Sequence, residues 1–356
     1  MTAADRNEPD LLADPWDPFR AFRWFVVFTQ AATIWITWPL WQVRLSPPIL
    51  PAVAVPQIDF GFLLLGSLAL VLIHGKIGVI AHAVLLGAAM VSDQMRLQPE
   101  FISQAILLWG TLPGRGARAV GRAHLVALWF FAGLNKLLCP LYFTGDARWL
   151  VVSFFPQASE AASTLVGAAV ALTEIGLAIC AVIPRTRSIA VGLAYAVHLG
   201  IVVTLAFGLR WDEAVWPWNL ALAVGGYAMI GSWKEPVGDS LRQLAPGLRG
   251  AIALILLSPL GYYLGLVDTY LCHILYSSHA PLAWIRTADG QRELIDTRPQ
   301  LRVPVPQIER LYTGYFAATG HPGDELEIVD PRLWYRWRGA DHRVFAYERR
   351  RQPRDQ

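Results

Sequence analysis

Nine stretches of this chain are apolar over most of their length and bounded by charges or by Pro and Gly, at about 21–43, 59–75, 77–92, 101–113, 121–139, 161–183, 188–208, 214–232 and 250–268. A hydrocarbon layer about 30 Å thick needs roughly 20 such residues for each helical crossing. Backbone amides in lipid must bond to one another, so these stretches predict helices rather than loops or open strands. The fourth, FISQAILLWGTL, is short and is expected to be tilted or broken. Composition agrees, with 54% hydrophobic and 16% charged residues and a mean hydropathy of +0.39, where an average soluble domain carries roughly 25% charged residues. These values exclude a water-soluble globule. The expectation is an all-α polytopic membrane protein, a bundle of about nine transmembrane helices with a small α+β extramembrane domain at its C-terminal end.

Orientation follows from Lys and Arg, which concentrate in short cytoplasmic loops. With the N-terminus inside, Arg6, Arg20, Lys76, Arg115, Arg118, Arg122, Arg185, Arg187, Lys234, Arg242 and Arg249 fall on the cytoplasmic side. Only Arg44, Arg96, Arg148 and Arg210 fall on the other. Residues 1–20 are then a cytoplasmic segment, acidic and Pro-containing, with no cleavable signal pattern; the first span is itself the insertion signal. Nine crossings place residues 269–356 outside the cell membrane. In that tail PLAWIRT and RELIDTR flank Asp-Gly and predict a hairpin, VPQIERLYTGYFAATG predicts a helix ending at Gly320, and ELEIVD and RVFAYER predict strands. Three Cys at unrelated spacings exclude a disulfide framework and paired-Cys zinc sites, and a net charge of +3 gives no sign of a nucleic-acid partner. Trp35, Trp38, Trp41, Trp216 and Trp218 are read as an interfacial belt.

Titratable side chains inside spans are costly in hydrocarbon and therefore point to partners, cavities or substrate paths. Here they are Lys136 at the outward end of the fifth stretch, Glu174 deep in the sixth and His198 in the middle of the seventh, with His74, His82 and His124 nearer loops. Lys136 lies in WFFAGLNKLL, an apolar setting that disfavours the ammonium form and so makes a usable base. The alternative is an interfacial lysine snorkelling to water. Glu174 is either a functional carboxylate or a protonated one bonding a neighbouring helix, and His198 either functional or a packing histidine. Three successive spans permit Lys136, Glu174 and His198 to converge near the outer leaflet. The tail's Asp268, His273 and His279 lack metal-ligand spacing, and no metal is assigned.

At Ala132-Gly133-Leu134-Asn135-Lys136-Leu137 the chain resembles the vitamin K-dependent gamma-carboxylase family and its bacterial relatives, built on the horizontally transferred transmembrane domain, with DoxX-like membrane proteins as more distant relatives. The resemblance covers about residues 18–232, and it extends to Glu174, to Arg187-Ser188-Ile189, to His198 and to the outer loop beginning at Asp93. It implies that Lys136 is the base that deprotonates a reduced quinone, with Glu174 and His198 orienting groups or shuttling protons, in an inner-membrane lyase-type enzyme. Departures are equally specific. The acidic residue and Trp that follow the family lysine stand later here, as Asp146 and Trp149, and the outer-loop histidine is replaced by Gln98, Pro99 and Glu100. The short tail replaces a large substrate-capturing domain. The expected function is a quinol-dependent membrane enzyme; the alternative is a non-catalytic DoxX-like scaffold or maturation partner for an extracytoplasmic protein or peptide. Membrane lipid is a partner in either case.

Overall fold

The computed structural model describes residues 17–274 and 276–347. The expected N-terminal segment, with Arg6, falls almost wholly outside the described residues, as does the closing ERRRQPRDQ. What is described is mostly helical, with one small antiparallel sheet near the C-terminal end.

Helix α1 (Pro18–Ile36) opens on an Asp17 side chain that accepts the Phe19 amide, with Pro18 at its first position where no amide bond is lost. The run Gly61–Ser92 (α2) has non-helical dihedrals at His74 and Gly75. It reverses there, because Ser67 Oγ and His82 Nδ1 lie 2.8 Å apart, whereas fifteen residues of straight helix would separate them by about 22 Å. Gly78 permits the tight return, since a Cβ there would lie 2.3 Å from the Val71 amide nitrogen. Then come α3 (Pro99–Gly110), α4 (Arg115–Leu137), α5 (Pro140–Thr144) and α6 (Asp146–Phe154). Pro140 cannot continue the ladder of α4, and the chain bends by 78° there, laying α5 and α6 beside α7 (Glu160–Val182). The bundle closes with α8 (Arg187–Val203), α9 (Val215–Gly225), α10 (Val237–Arg242) and α11 (Pro246–Leu257).

Four helical runs are long and apolar enough to cross a membrane, Gly61–Ser92, Glu160–Val182, Pro184–Leu209 and Pro246–Leu264, or five if the bent pair Arg115–Leu137 and Pro140–Phe154 counts as one span. That is fewer than the nine expected, for physical reasons that differ by segment. The stretches at 59–75 and 77–92 are the two arms of one helical run that folds back at His74 and Gly75, each arm shorter than the roughly 20 residues of a full crossing. Helix α3 has 12 residues, about 18 Å, and α9, even with the π-helical turn Gly226–Gly231 that continues it, is shorter than the roughly 20 residues of a full crossing. Helices α1 and α4 carry Arg20 and Arg23, and Arg115, Arg118 and Arg122, in their first turns. The four long runs bury only 17–33% of their apolar windows inside the protein. Phe62, Leu165, Phe207 and Leu254 point outward, each more than 60% exposed. Apolar surface on that scale is stable against lipid and not against water, which is consistent with a membrane protein.

The tail forms a four-stranded antiparallel sheet in the order β2-β1-β3-β4, from β1 (Leu282–Arg286), β2 (Arg292–Leu294), β3 (Glu325–Val329) and β4 (His342–Ala346). Gly290, at φ +86°, makes the turn between β1 and β2. The helices α12 (Arg298–Leu301) and α13 (Glu309–Thr319) follow, the latter ending at Gly320, and a further turn α14 spans Leu333–Trp337. Ala283, Leu326 and Ile328 of the sheet join Leu311, Tyr312 and Phe316 of α13 in a buried layer. This cap sits on the bundle end that carries Asp93 to Gln98. Gln98 Nε2 donates to the Pro304 carbonyl at 2.8 Å, and Arg310 Nε donates to Gln94 Oε1 at 3.0 Å.

The aromatic belt is only partly a belt. Trp35 is 67% exposed, but Trp41 and Trp218 are buried at 0% and 2%. Trp41 packs edge-on against Phe101, under the Arg96 guanidinium, and its indole N–H donates to Thr37 Oγ1. A Trp near a span end is as good a core residue as an interfacial one once a neighbouring helix covers it.

Candidate functional site

The six-residue segment from Ala132 to Leu137 has three structural jobs. Gly133 lets α4 approach α7 so closely that a Cβ in its place would lie 2.4 Å from the Ala171 carbonyl oxygen and 2.8 Å from Ile175 Cγ1. Asn135 faces the cap: its Nδ2 donates to the Cys272 carbonyl at 3.0 Å, and its Oδ1 accepts from the Tyr263 hydroxyl at 2.7 Å. Lys136, one turn beyond Gly133, meets Glu174 across the closed gap. Its Nζ donates to Glu174 Oε2 at 2.8 Å and Oε1 at 3.0 Å, and to the Ala132 carbonyl at 3.3 Å. All three ammonium hydrogens therefore have acceptors. Lys136 and Glu174 are 5% and 6% exposed, so this is a buried, doubly contacted ion pair and not a snorkelling lysine.

His198 does not join them. Its Nε2 accepts from the Trp129 indole N–H at 2.8 Å and its Nδ1 bonds Asn219 Oδ1 at 2.9 Å. The indole can only donate, so the imidazole proton sits on Nδ1 and both ring nitrogens are spent. Trp129 lies on α4 as Lys136 does, so His198 ties α8 to the same helix without reaching the amine. His82 is held by Ser67, and His124 Nε2 lies 2.7 Å from Ser103 Oγ. Among the described residues no three His, Cys, Asp or Glu side chains are grouped to hold a metal ion.

Two features escaped the sequence. Asp93, fully buried, accepts from Arg44 Nη2 at 2.6 Å and from the Leu50 and Met95 amides at 3.1 Å, with Arg96 Nε 3.8 Å away. Asp93 is thus the clamp of the capped bundle end, and its partner Arg44 is too distant in sequence to be suspected. The second is a cavity of about 200 Å³ between cap and bundle, lined by Asp146, Asp212, Tyr276, Ser278 and Arg298 among others. Burial pushes the Asp212 carboxyl up, against the Tyr276 hydroxyl that donates to it and the Arg298 charge. Only positive backbone φ at Arg210 and Asp212 marks that loop as special. Ser278 also accepts from Cys139 Sγ, which puts this cavity about one helical turn past Lys136. Neither it nor a cavity of about 400 Å³ lined by Arg187 and Lys234 is lined by Lys136 or Glu174.

Compared with protein-family models, with curated proteins and with solved structures, the chain has no match.

Proposed function

We propose that the protein is a membrane-embedded acid–base enzyme in which Lys136 and Glu174 move a proton to or from a lipid-soluble substrate near the capped end of the bundle. The observation that carries this reading is the doubly contacted Lys136–Glu174 pair, buried between α4 and α7. Ionisable groups inside a span are costly and most often mark a substrate or proton path. Over 2.8 Å a proton passes from the ammonium to the carboxylate, leaving an amine and a carboxylic acid. The N–H bond breaks with its electron pair staying on nitrogen, and that lone pair can then take a proton from a weak acid held beside it. Lys136 is then an ammonium again, Glu174 as the acid would pass its proton to an oxygen of the product to restore the starting pair, and the surrounding apolar side chains would keep water from competing. The substrate class suggested by the motif around Lys136 is a reduced quinone, whose hydroxyl is such an acid. Lys136 and Glu174 are nearly buried and line neither of the two cavities described above, so a substrate reaches the pair only if α4 and α7 part.

A second reading rests on the same satisfied geometry. With every Nζ hydrogen engaged, the pair equally suits a helix clamp in a scaffold whose cap engages an extracytoplasmic protein. Exchanging the partners separates the two. In mild detergent, wild type is expected to consume menaquinol with oxygen in the presence of native membrane extract. Folded Lys136→Ala and the exchange Lys136→Glu with Glu174→Lys are expected to lose at least about a hundredfold in rate. An exchange variant as active as wild type would make the pair a clamp, and no consumption by wild type would favour the scaffold.

A further inference from the structure

At the end of the bundle away from the cap, several cations stand without a paired carboxylate, although Arg242 there pairs with Asp239. Among the described residues Arg118, Arg122, Arg185, Arg187 and Lys234 make no ion pair. At the capped end Arg44, Arg96, Arg302 and Arg310 are each paired with a carboxylate. Two of the unpaired cations stack on Trp233. The Arg187 guanidinium lies 4.0 Å from the ring centroid and that of Arg122 5.0 Å.

Arg187 is 4% exposed. Its Nε donates to the Ala181 carbonyl at 3.2 Å, and its Nη1 to the Trp233 and Glu235 carbonyls, the latter at 2.9 Å. Its Nη2 is buried and has no acceptor. The carboxylate of Glu235 lies near Arg122 and accepts from Ser240 Oγ, but forms no ion pair with Arg187. Arg187 lines an open cavity of about 400 Å³ together with Ser188, Val191, Tyr227, Trp233 and Lys234. The Lys234 ammonium is exposed there with only the Gly231 carbonyl bonded to it, and the Tyr227 ring is 57% exposed.

We propose that this cavity binds the phosphate of an anionic phospholipid headgroup, with the Ser188 hydroxyl and the Lys234 ammonium as its donors, Arg187 in its wall as a second positive charge, and Tyr227 and Val191 as the wall against the glycerol. A buried cation with no paired carboxylate is stabilised by an anion placed beside it, and basic pockets between helices at a membrane surface bind such headgroups. The proposal rests on the membrane reading of the fold, and on nothing about Lys136.

The test is native mass spectrometry and thermal unfolding of the whole chain in neutral detergent, with phosphatidylglycerol, phosphatidylcholine or inorganic phosphate added. Phosphatidylglycerol is expected to be retained and to raise the unfolding temperature, and phosphatidylcholine much less so. Lys234→Gln should weaken retention about fivefold, the loss expected for one cation at an anionic surface. Arg187→Gln, which removes the charge, should weaken it too. If Arg187→Gln does not fold, Lys234→Gln with Ser188→Ala decides the matter. Equal retention of both lipids, or retention unchanged in Lys234→Gln, overturns the proposal. Stabilisation by inorganic phosphate equal to that by phosphatidylglycerol overturns the lipid source and assigns a free-phosphate site. Wild type found in the carbonate-washed supernatant and not in membranes would instead sink the membrane reading.

Discussion

Gly133→Ala adds one methyl group at the closest approach of α4 and α7. Its Cβ would lie 2.4 Å from the Ala171 carbonyl oxygen, 2.8 Å from Ile175 Cγ1 and 3.0 Å from the Ile175 amide nitrogen. Two of these neighbours are backbone and cannot rotate away. Ordinary contact requires a retreat of about 1 Å between the helices. The Lys136–Glu174 bonds of 2.8 and 3.0 Å lie one turn from that contact, and a shift of that size takes them to the edge of hydrogen-bonding range. Overpacking of this kind costs about 1–3 kcal/mol, to which a loosened buried pair adds. At about 2–4 °C per kcal/mol for a domain of some 200 residues, the expected fall in unfolding temperature is about 2–12 °C. The measurement is unfolding in detergent followed by circular dichroism, made also in a Lys136→Met, Glu174→Met background. There the same methyl should cost less, because no pair remains to be stretched. A Gly133→Ala protein as stable as wild type, or a cost unchanged in the pairless background, would refute the coupling between the glycine and the ion pair.

Removing one member of the pair, as in Glu174→Leu, should destabilise by about 3–5 kcal/mol, because it leaves an uncompensated buried charge, whereas Lys136→Met with Glu174→Met together should fall within about 1–2 kcal/mol of wild type; chemical denaturation of the three proteins checks the order. The cap carries its own pH response. Burial holds the His279 imidazole down at about 4 from its ordinary 6.5, helped by the Arg332 charge and opposed by Asp330, and burial does the same to His273. The unfolded chain therefore binds protons between pH 6.5 and 4 that the folded cap refuses. Stability from these residues is fully present above about pH 6.5 and is lost as pH falls toward 4, by at most about 1.4 kcal/mol per pH unit for each histidine. His279→Phe should flatten that slope, and a slope unchanged by the variant would assign it elsewhere.

Much of the cap was legible in the sequence, because its signals are local. Asp289-Gly290 between two alternating runs makes the β1–β2 hairpin, and the helix before Gly320 ends where a glycine lets it end. The bundle was less so. Apolar stretches read alike whether they cross a bilayer, fold back at His74–Gly75 or stop after 12 residues as α3 does. Trp41 and Trp218 reveal their burial only once Phe101 and the neighbouring helices surround them.

For the candidate site, residue type marked Lys136 and Glu174, because a charge in an apolar helix needs a partner, water or a substrate. Which side chains meet was decided by tertiary packing. Thirty-eight residues separate Lys136 from Glu174, and only the missing side chain of Gly133 brings α7 close enough for the bond. His198 sat equally well in the sequence and went to Trp129 and Asn219 instead. Asn135, Asp93 and the unpaired Arg187 Nη2 take their meaning from groups contributed by distant segments. Hydropathy is a sum over neighbours in the chain and survives in sequence. Hydrogen-bond satisfaction is a property of neighbours in space, and only the folded bundle supplies those.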